Sequence, residues 1–175
     1  IVSRKQLLPS YDVFDETRYF RSAKAPGIIS YQKGNQIWRI GITICEDLWV
    51  EEELHKQRID GPDPIQKLIS EKINLLINLS ASPFNTSKKE LRVNLAAKAS
   101  QRLNCPVIYL NQVGANDELI FDGASFVLEP LKKIVLQLPS YREGLAIWDA
   151  NDETTLEPKS NLEVMEEIFY ALVLG

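Results

Sequence analysis

The chain has 175 residues, 45% of them hydrophobic and 25% charged, which suits one globular domain, residues 1–175, with a sizeable core. Twenty basic against twenty-four acidic residues give a net charge of −4 with no basic cluster, which argues against a nucleic-acid partner. No apolar run approaches the ~20 residues of a membrane span, and two cysteines with the single His55 make neither a disulfide framework nor a zinc ligand set. That cysteine usage fits a reducing cytosol, so a cytoplasmic protein is expected. The start at Ile1, without Met or signal-peptide order, raises the expectation that the chain has lost its beginning or was cut from something longer.

In chain order, Ile1 to Pro9 reads as the end of a strand running into a turn. Tyr11 to Phe20 mixes aromatic and charged residues with neither period 2 nor period 3.6, which predicts an ordered loop. Ile28 to Gln32 and Ile37 to Ile44 flank Lys33-Gly34-Asn35, a hairpin signal because Gly and Asn accept positive φ. The second of these runs is β-branched, looks buried on both faces, and stops at Cys45-Glu46-Asp47. Glu51 to Ile59 is charged and solvated. Asp63-Pro64 then opens a helix whose apolar face is Ile65, Leu68 and Ile69.

Ile73 to Leu79 predicts a buried strand ending in Ser80-Ala81-Ser82-Pro83. Ser87 to Glu90 has capping-box spacing before a helix with the stripe Leu91, Leu95, Ala96, Ala99 and Leu103. Pro106 to Asn111 is a third buried strand, and 112–118 a turn-rich loop. Leu119 to Phe121, Ser125 to Leu128, Ile134 to Leu138 and Gly144 to Trp148 read as short strands. After an acidic link, Ser160-Asn161-Leu162-Glu163 predicts the cap of a last helix with Leu162, Met165, Phe169 and Leu172 on one face. A βαβαβ centre followed by a β-meander favours a layered α+β sandwich over a doubly wound sheet.

Cys45 is the first residue able to carry chemistry. A thiol at the carboxyl end of a strand is held by the sheet and exposed by the following turn. It is only a few per cent thiolate at neutral pH and needs a neighbouring base or cation. The competing reading is a buried core cysteine, a common fate of free thiols. Cys105, at a helix-to-strand junction, reads as structural. Lys5 taken alone is a surface lysine. Glu46 and Asp47 read equally well as functional and as structural carboxylates.

Several ordered pieces change that balance. They are Lys5-Gln6-Leu7-Leu8-Pro9 with Tyr11 and Phe14-Asp15-Glu16, Cys45-Glu46-Asp47-Leu48-Trp49, Asn78 to Pro83, Asn111-Gln112-Val113-Gly114 with Asp117-Glu118, Phe121-Asp122-Gly123, and Tyr170 to Gly175. Together they resemble the carbon-nitrogen hydrolase, or nitrilase-like, superfamily, and within it the glutaminase domains of glutamine-dependent NAD synthetases.

The resemblance implies a four-layer αββα sandwich and a Glu-Lys-Cys triad. Cys45 would attack the glutamine side-chain amide to give a thioester and ammonia, and water would then release glutamate. Lys5 would stabilise thiolate and oxyanion, aided by the amide following Cys45. Tyr11, Glu46, Ser82 and Lys88 fall where the family binds glutamine, and Glu16 where a supporting carboxylate is plausible. The family's general-base glutamate lies well before the lysine, whereas this chain begins four residues before Lys5.

A carboxyl-terminal portion of the amidase domain, inactive by itself, is therefore expected, with the amino-terminal part of the sandwich missing. No metal or cofactor is expected in it. ATP and magnesium would serve an absent synthetase domain, reached through an ammonia channel, and a homo-oligomer would be typical. Another amidase of the same superfamily, or a noncatalytic oligomerisation module with Cys45 in its core, are the alternatives.

Overall fold

The computed structural model of the chain describes residues 1–10, 14–50, 61–130, 134–151 and 162–175. After a single helical turn, α1 (Glu16–Tyr19), the expected hairpin is present: β1 (Gly27–Lys33) pairs antiparallel with β2 (Gln36–Ile44). Gly34 turns the corner with φ +61°, a conformation that is free for glycine and costly for a side chain. A 3-10 turn (Cys45–Leu48) follows, and then α2 (Pro64–Ser70), whose cap Asp63 accepts the Gln66 N–H at 2.9 Å. Next come β3 (Leu75–Ser80), α3 (Lys88–Leu103), β4 (Val107–Asn111), the hairpin β5 (Val113–Asn116) and β6 (Leu119–Asp122), β7 (Phe126–Leu128), β8 (Ile134–Gln137) and α4 (Val164–Leu174).

Six strands form one mixed sheet in the order β1-β2-β3-β4-β7-β8, in which β2, β3 and β4 run parallel and the other neighbours antiparallel. The parallel trio therefore ends on a single rim, where Cys45, Ser80 and Asn111 emerge side by side. Helices α2 and α3 cover one face, packing Ile65, Leu68, Leu95, Ala96 and Ala99 onto Leu76, Val107, Tyr109, Phe126 and Leu128. The mixed α/β sandwich expected from the sequence is thus seen as one sheet and one helix layer, two of the four layers that the resemblance implies.

Several expectations need correction. Ile37 to Ile44 is not buried on both faces: Ile37 is exposed, because the hairpin is the sheet edge and its tip projects beyond its neighbours. Likewise β3 and β4 alternate, with Leu76, Asn78, Val107 and Tyr109 turned to the helices and Leu79 and Leu110 exposed on the opposite face. Ile1 to Pro9 forms no strand, since the N–H groups of Gln6 and Leu7 are taken by the Asp47 side chain and not by a neighbouring strand. Within 112–118, β5 pairs with β6 about a turn in which Asp117 takes φ +52°. Gly144 to Trp148 pairs with no strand among the described residues and leaves Leu145 and Ile147 almost fully exposed.

Capping and helix faces differ as well. Ser87 precedes α3 without a side-chain cap bond, its hydroxyl donating to Asn85 at 3.0 Å instead. The last helix is capped three residues later than expected, by Glu163 with Glu166, and Ser160 and Asn161 lie outside the described residues. Its buried side is Glu167 and Ala171, with Glu167 3.7 Å from Lys89. Met165, Phe169 and Leu172, expected to face inward, are exposed, as is Ile69 on α2. The segment from Glu51 to Ile59, with His55, lies outside the described residues.

Candidate active site

The site begins with backbone geometry. Cys45 follows the last residue of β2 and adopts φ +49°, a left-handed conformation that costs a non-glycine residue about 1–3 kcal/mol. Asn78, buried on the neighbouring strand, compensates: its amide donates to the Cys45 carbonyl at 3.1 Å and to Thr43 Oγ1 at 3.1 Å, while its own oxygen accepts from Ser80 at 2.6 Å. The sharp turn lifts the thiol out of the sheet and towards the rim. Strain of this kind, over-determined by its surroundings, is typical of reacting positions.

Asp47 draws the other half of the site to the thiol. Its Oδ1 accepts the backbone N–H groups of Gln6 at 2.9 Å and Leu7 at 2.8 Å, and its Oδ2 accepts that of Ile44 at 3.0 Å. One buried carboxylate thereby ties the segment carrying Lys5 to the strand end carrying Cys45. Burial pushes the Asp47 carboxyl above the usual carboxylate range, partly offset by those three donors and by Lys5. Lys5 is in turn fixed by Glu16, with Nζ 2.7 Å and 2.8 Å from its two oxygens.

Lys5, Glu16, Cys45, Glu46, Ser80 and Ser82 form the polar lining of a cavity of about 440 Å³. Pro9, Phe14, Ile44, Leu79, Pro83 and Phe121 supply apolar walls, a mixture suited to a small polar molecule with an aliphatic stem. Burial pushes the Cys45 thiol above its ordinary range. Lys5 and a hydrogen bond from the Ala81 backbone oppose the rise, and Glu46 and Glu16 add to it. The lysine alone thus leaves a thiol that is mostly protonated at neutral pH, so attack needs a proton acceptor. Cys105 is a buried core residue, its thiol pushed up to about 12.

A carbon-nitrogen hydrolase family model matches residues 2–156. The chain belongs to the carbon-nitrogen hydrolase family. It is 43% identical to the glutamine-dependent NAD(+) synthetase of Synechocystis sp., over 98% of this chain and 31% of that protein. It is 32% identical to the Acinetobacter baylyi enzyme of the same name, over 99% of this chain and 30% of that protein. The chain thus spans about a third of the length of these curated relatives. The solved glutamine-dependent NAD+ synthetase from Acinetobacter baumannii, in complex with ADP, superposes with a TM-score of 0.78 at 31% identity, over 97% of this chain and 30% of that one. An amidase from Nesterenkonia sp. shares the fold, with a TM-score of 0.57 at 17% identity, over 77% of this chain and 45% of that one.

Of the residues named from sequence, Cys45, Lys5, Glu16, Glu46 and Ser82 meet at this cavity in the carbon-nitrogen hydrolase fold. Tyr11 lies outside the described residues. Lys88 is not among the cavity's lining residues, and its ammonium stands 5.7 Å from the centre of the Trp49 ring. Sequence reasoning missed Arg92 and Asp122. Arg92 falls on the inward stripe of α3, four residues before Ala96 and seven before Ala99. A charge at such a position demands a buried partner, a signal that was present in the sequence. No group of three or more His, Cys, Asp or Glu residues is arranged to hold a metal among the described residues.

Proposed function

We propose that residues 1–175 belong to the glutaminase domain of a glutamine-dependent NAD synthetase and carry its nucleophile. The observation behind this reading is the strained Cys45 at a strand end, sharing one cavity with the Lys5–Glu16 ion pair. Similarity along nearly the whole of this chain to enzymes named for glutamine use supports the choice of amide.

In this reading the Cys45 sulfur forms a bond to the amide carbon of glutamine as its proton passes to the nitrogen, and the C–N bond then breaks to release ammonia. Water adds to the thioester, the C–S bond breaks, and glutamate leaves with the thiol restored. The negative oxygen of each tetrahedral species is met by Lys5 and by the backbone N–H of Glu46. Preorganised donors of this kind are worth ~3–4 kcal/mol each in mutational tests. Glu16 supports Lys5, Glu46 and Ser82 hold the amino-acid end of glutamine, and Tyr11 and Lys88 complete that pocket.

The ammonia then passes through a channel to a synthetase domain that uses ATP and magnesium, and copies of the protein associate as homo-oligomers. A cytoplasmic setting suits two cysteines that remain free thiols. No described helix is long and apolar enough to cross a membrane.

Glutamine protection tests the substrate assignment. With iodoacetamide as the probe in the full-length protein, glutamine at millimolar concentration should slow Cys45 alkylation at least about fivefold, as site occupancy above four-fifths requires. Asparagine and short aliphatic amides should not. Equal protection by a short aliphatic amide would instead favour another amidase of the superfamily.

A further inference from the structure

Behind the cavity wall lies a buried ion pair that the proposed chemistry does not use. Arg92, on α3, and Asp122, at the end of β6, have side chains only 3% and 4% exposed, and the two carboxylate oxygens accept from Nη1 at 2.8 Å and 2.9 Å. The other donors of the guanidinium converge on one loop. Nε donates to Ser82 Oγ at 3.1 Å, and Nη2 to the carbonyls of Ser82 and Pro83 at 3.0 Å each. All three nitrogens of the Arg92 guanidinium are thereby engaged.

The same loop is held from its other side by Asn111, which accepts the Ser82 N–H at 2.9 Å and donates to the Ser82 carbonyl at 3.2 Å. The Ser82 backbone is fixed by two residues, and its side-chain oxygen is already an acceptor for Arg92. A hydroxyl that accepts from Arg92 keeps its hydrogen and one lone pair for other partners, and the buried Tyr109 hydroxyl is one neighbour. Ser82 lines the same cavity as Cys45.

We propose that Arg92, clamped by Asp122, is a positioning residue that fixes the Ser82 hydroxyl at the cavity wall for a hydrogen bond to the substrate. The inference rests on the glutamine reading of the cavity and deepens it, since it names the support behind one of the residues that hold the amino-acid end. The ion pair sets how tightly the substrate is held and leaves the reactivity of the thiol to Lys5. Breaking a buried pair usually destabilises a fold, so a merely structural role is the rival to exclude.

Labelling of the full-length protein by 6-diazo-5-oxo-norleucine, a reactive glutamine analogue, separates the two. The half-saturating concentration reads binding, the limiting rate reads chemistry, and iodoacetamide reads the thiol without the pocket. Asp122→Asn keeps the shape and removes the charge, and it should raise the half-saturating concentration about tenfold, the loss expected for one substrate hydrogen bond. The limiting rate and the iodoacetamide rate should stay within about twofold of wild type.

Ser82→Ala should show the same loss, and the double variant should be no worse than Ser82→Ala alone, because both act through one hydroxyl. Should Asp122→Asn not fold, Arg92→Lys, which keeps the charge and loses the fork, gives the same reading. Losses that multiply in the double variant, or an iodoacetamide rate that falls in step, would overturn the positioning role. So would an unchanged half-saturating concentration in a variant of a labelled wild type, with the glutamine reading left standing. A wild type that shows no saturable labelling would overturn both.

Discussion

Replacing Lys5 with methionine will slow alkylation of Cys45 at neutral pH by about 10- to 100-fold and move the pH midpoint of that reaction up by about 1–2 units, the usual effect of removing an opposite charge beside a titrating group. The sign follows from the groups around the thiol. Burial favours the neutral form, Lys5 is the cation that opposes it, and methionine preserves length while deleting the charge. Even in the unaltered chain the alkylation rate should still climb where a free cysteine has levelled off, because burial outweighs the lysine. Glu16→Gln should act in the opposite direction and more weakly, since its carboxylate is the smallest of the contributions that raise the thiol. The measurement is the iodoacetamide rate between pH 6 and 11, both values chosen to bracket the thiol range (about 8.5 for a free cysteine). A midpoint that ignores Lys5→Met would separate the lysine from the thiol and remove the basis for a Lys-Cys pair.

Asp47→Ala will cost the fold about 3–5 kcal/mol and lower the melting temperature by about 10 °C or more, enough to threaten a domain whose total stability is of order 5–15 kcal/mol. The substitution strands the N–H groups of Gln6, Leu7 and Ile44, all three of which end on this carboxylate. Gln6 and Leu7 are themselves only 1% exposed, so water cannot replace the lost acceptor without opening the core. Asp47→Asn is the milder comparison. Its oxygen can still serve Gln6 and Leu7, while its amide nitrogen faces the Ile44 N–H donor to donor, which should cost about 1–2 kcal/mol. Thermal melts followed by circular dichroism give both values. A melting temperature for Asp47→Ala within a degree or two of the parent would mean that the carboxylate does not hold the Lys5 segment to the Cys45 strand.

The parts of this chain that were legible in its sequence are those governed by local chemistry. The Gly34-Asn35 corner, the Asp63-Pro64 helix start and the polar strand ends at Cys45 and Ser80 each follow from residue type at one position, and all are present. Misread were features that depend on what lies across the sheet. An apolar, β-branched run such as Ile37 to Ile44 reads as buried on both sides, although its first half lies on the exposed edge hairpin. Gly144 to Trp148 has strand composition and pairs with no strand among the described residues, while β5 looked like a loop and found β6.

The site followed the same rule. Cys45, Lys5 and Ser82 could be named because the resemblance carries them in order. Asp47 as a three-way backbone acceptor and Arg92 as the support of Ser82 are products of tertiary geometry, joining positions about 40 and 10 residues apart in sequence. Only the position of Arg92 on an apolar helix stripe gave it away in principle.

The central claim is that Cys45 is the nucleophile of a glutamine pocket, and intact-mass measurement after exposure to 6-diazo-5-oxo-norleucine tests it most directly. The chain and its full-length protein are treated in parallel, each beside its Cys45→Ala counterpart. A single adduct on the full-length protein, absent from Cys45→Ala and slowed by excess glutamine, is the predicted result, and the same adduct on the 175-residue chain would show that the pocket forms within it. No adduct on the full-length protein, or one that survives Cys45→Ala, would contradict the assignment of this thiol.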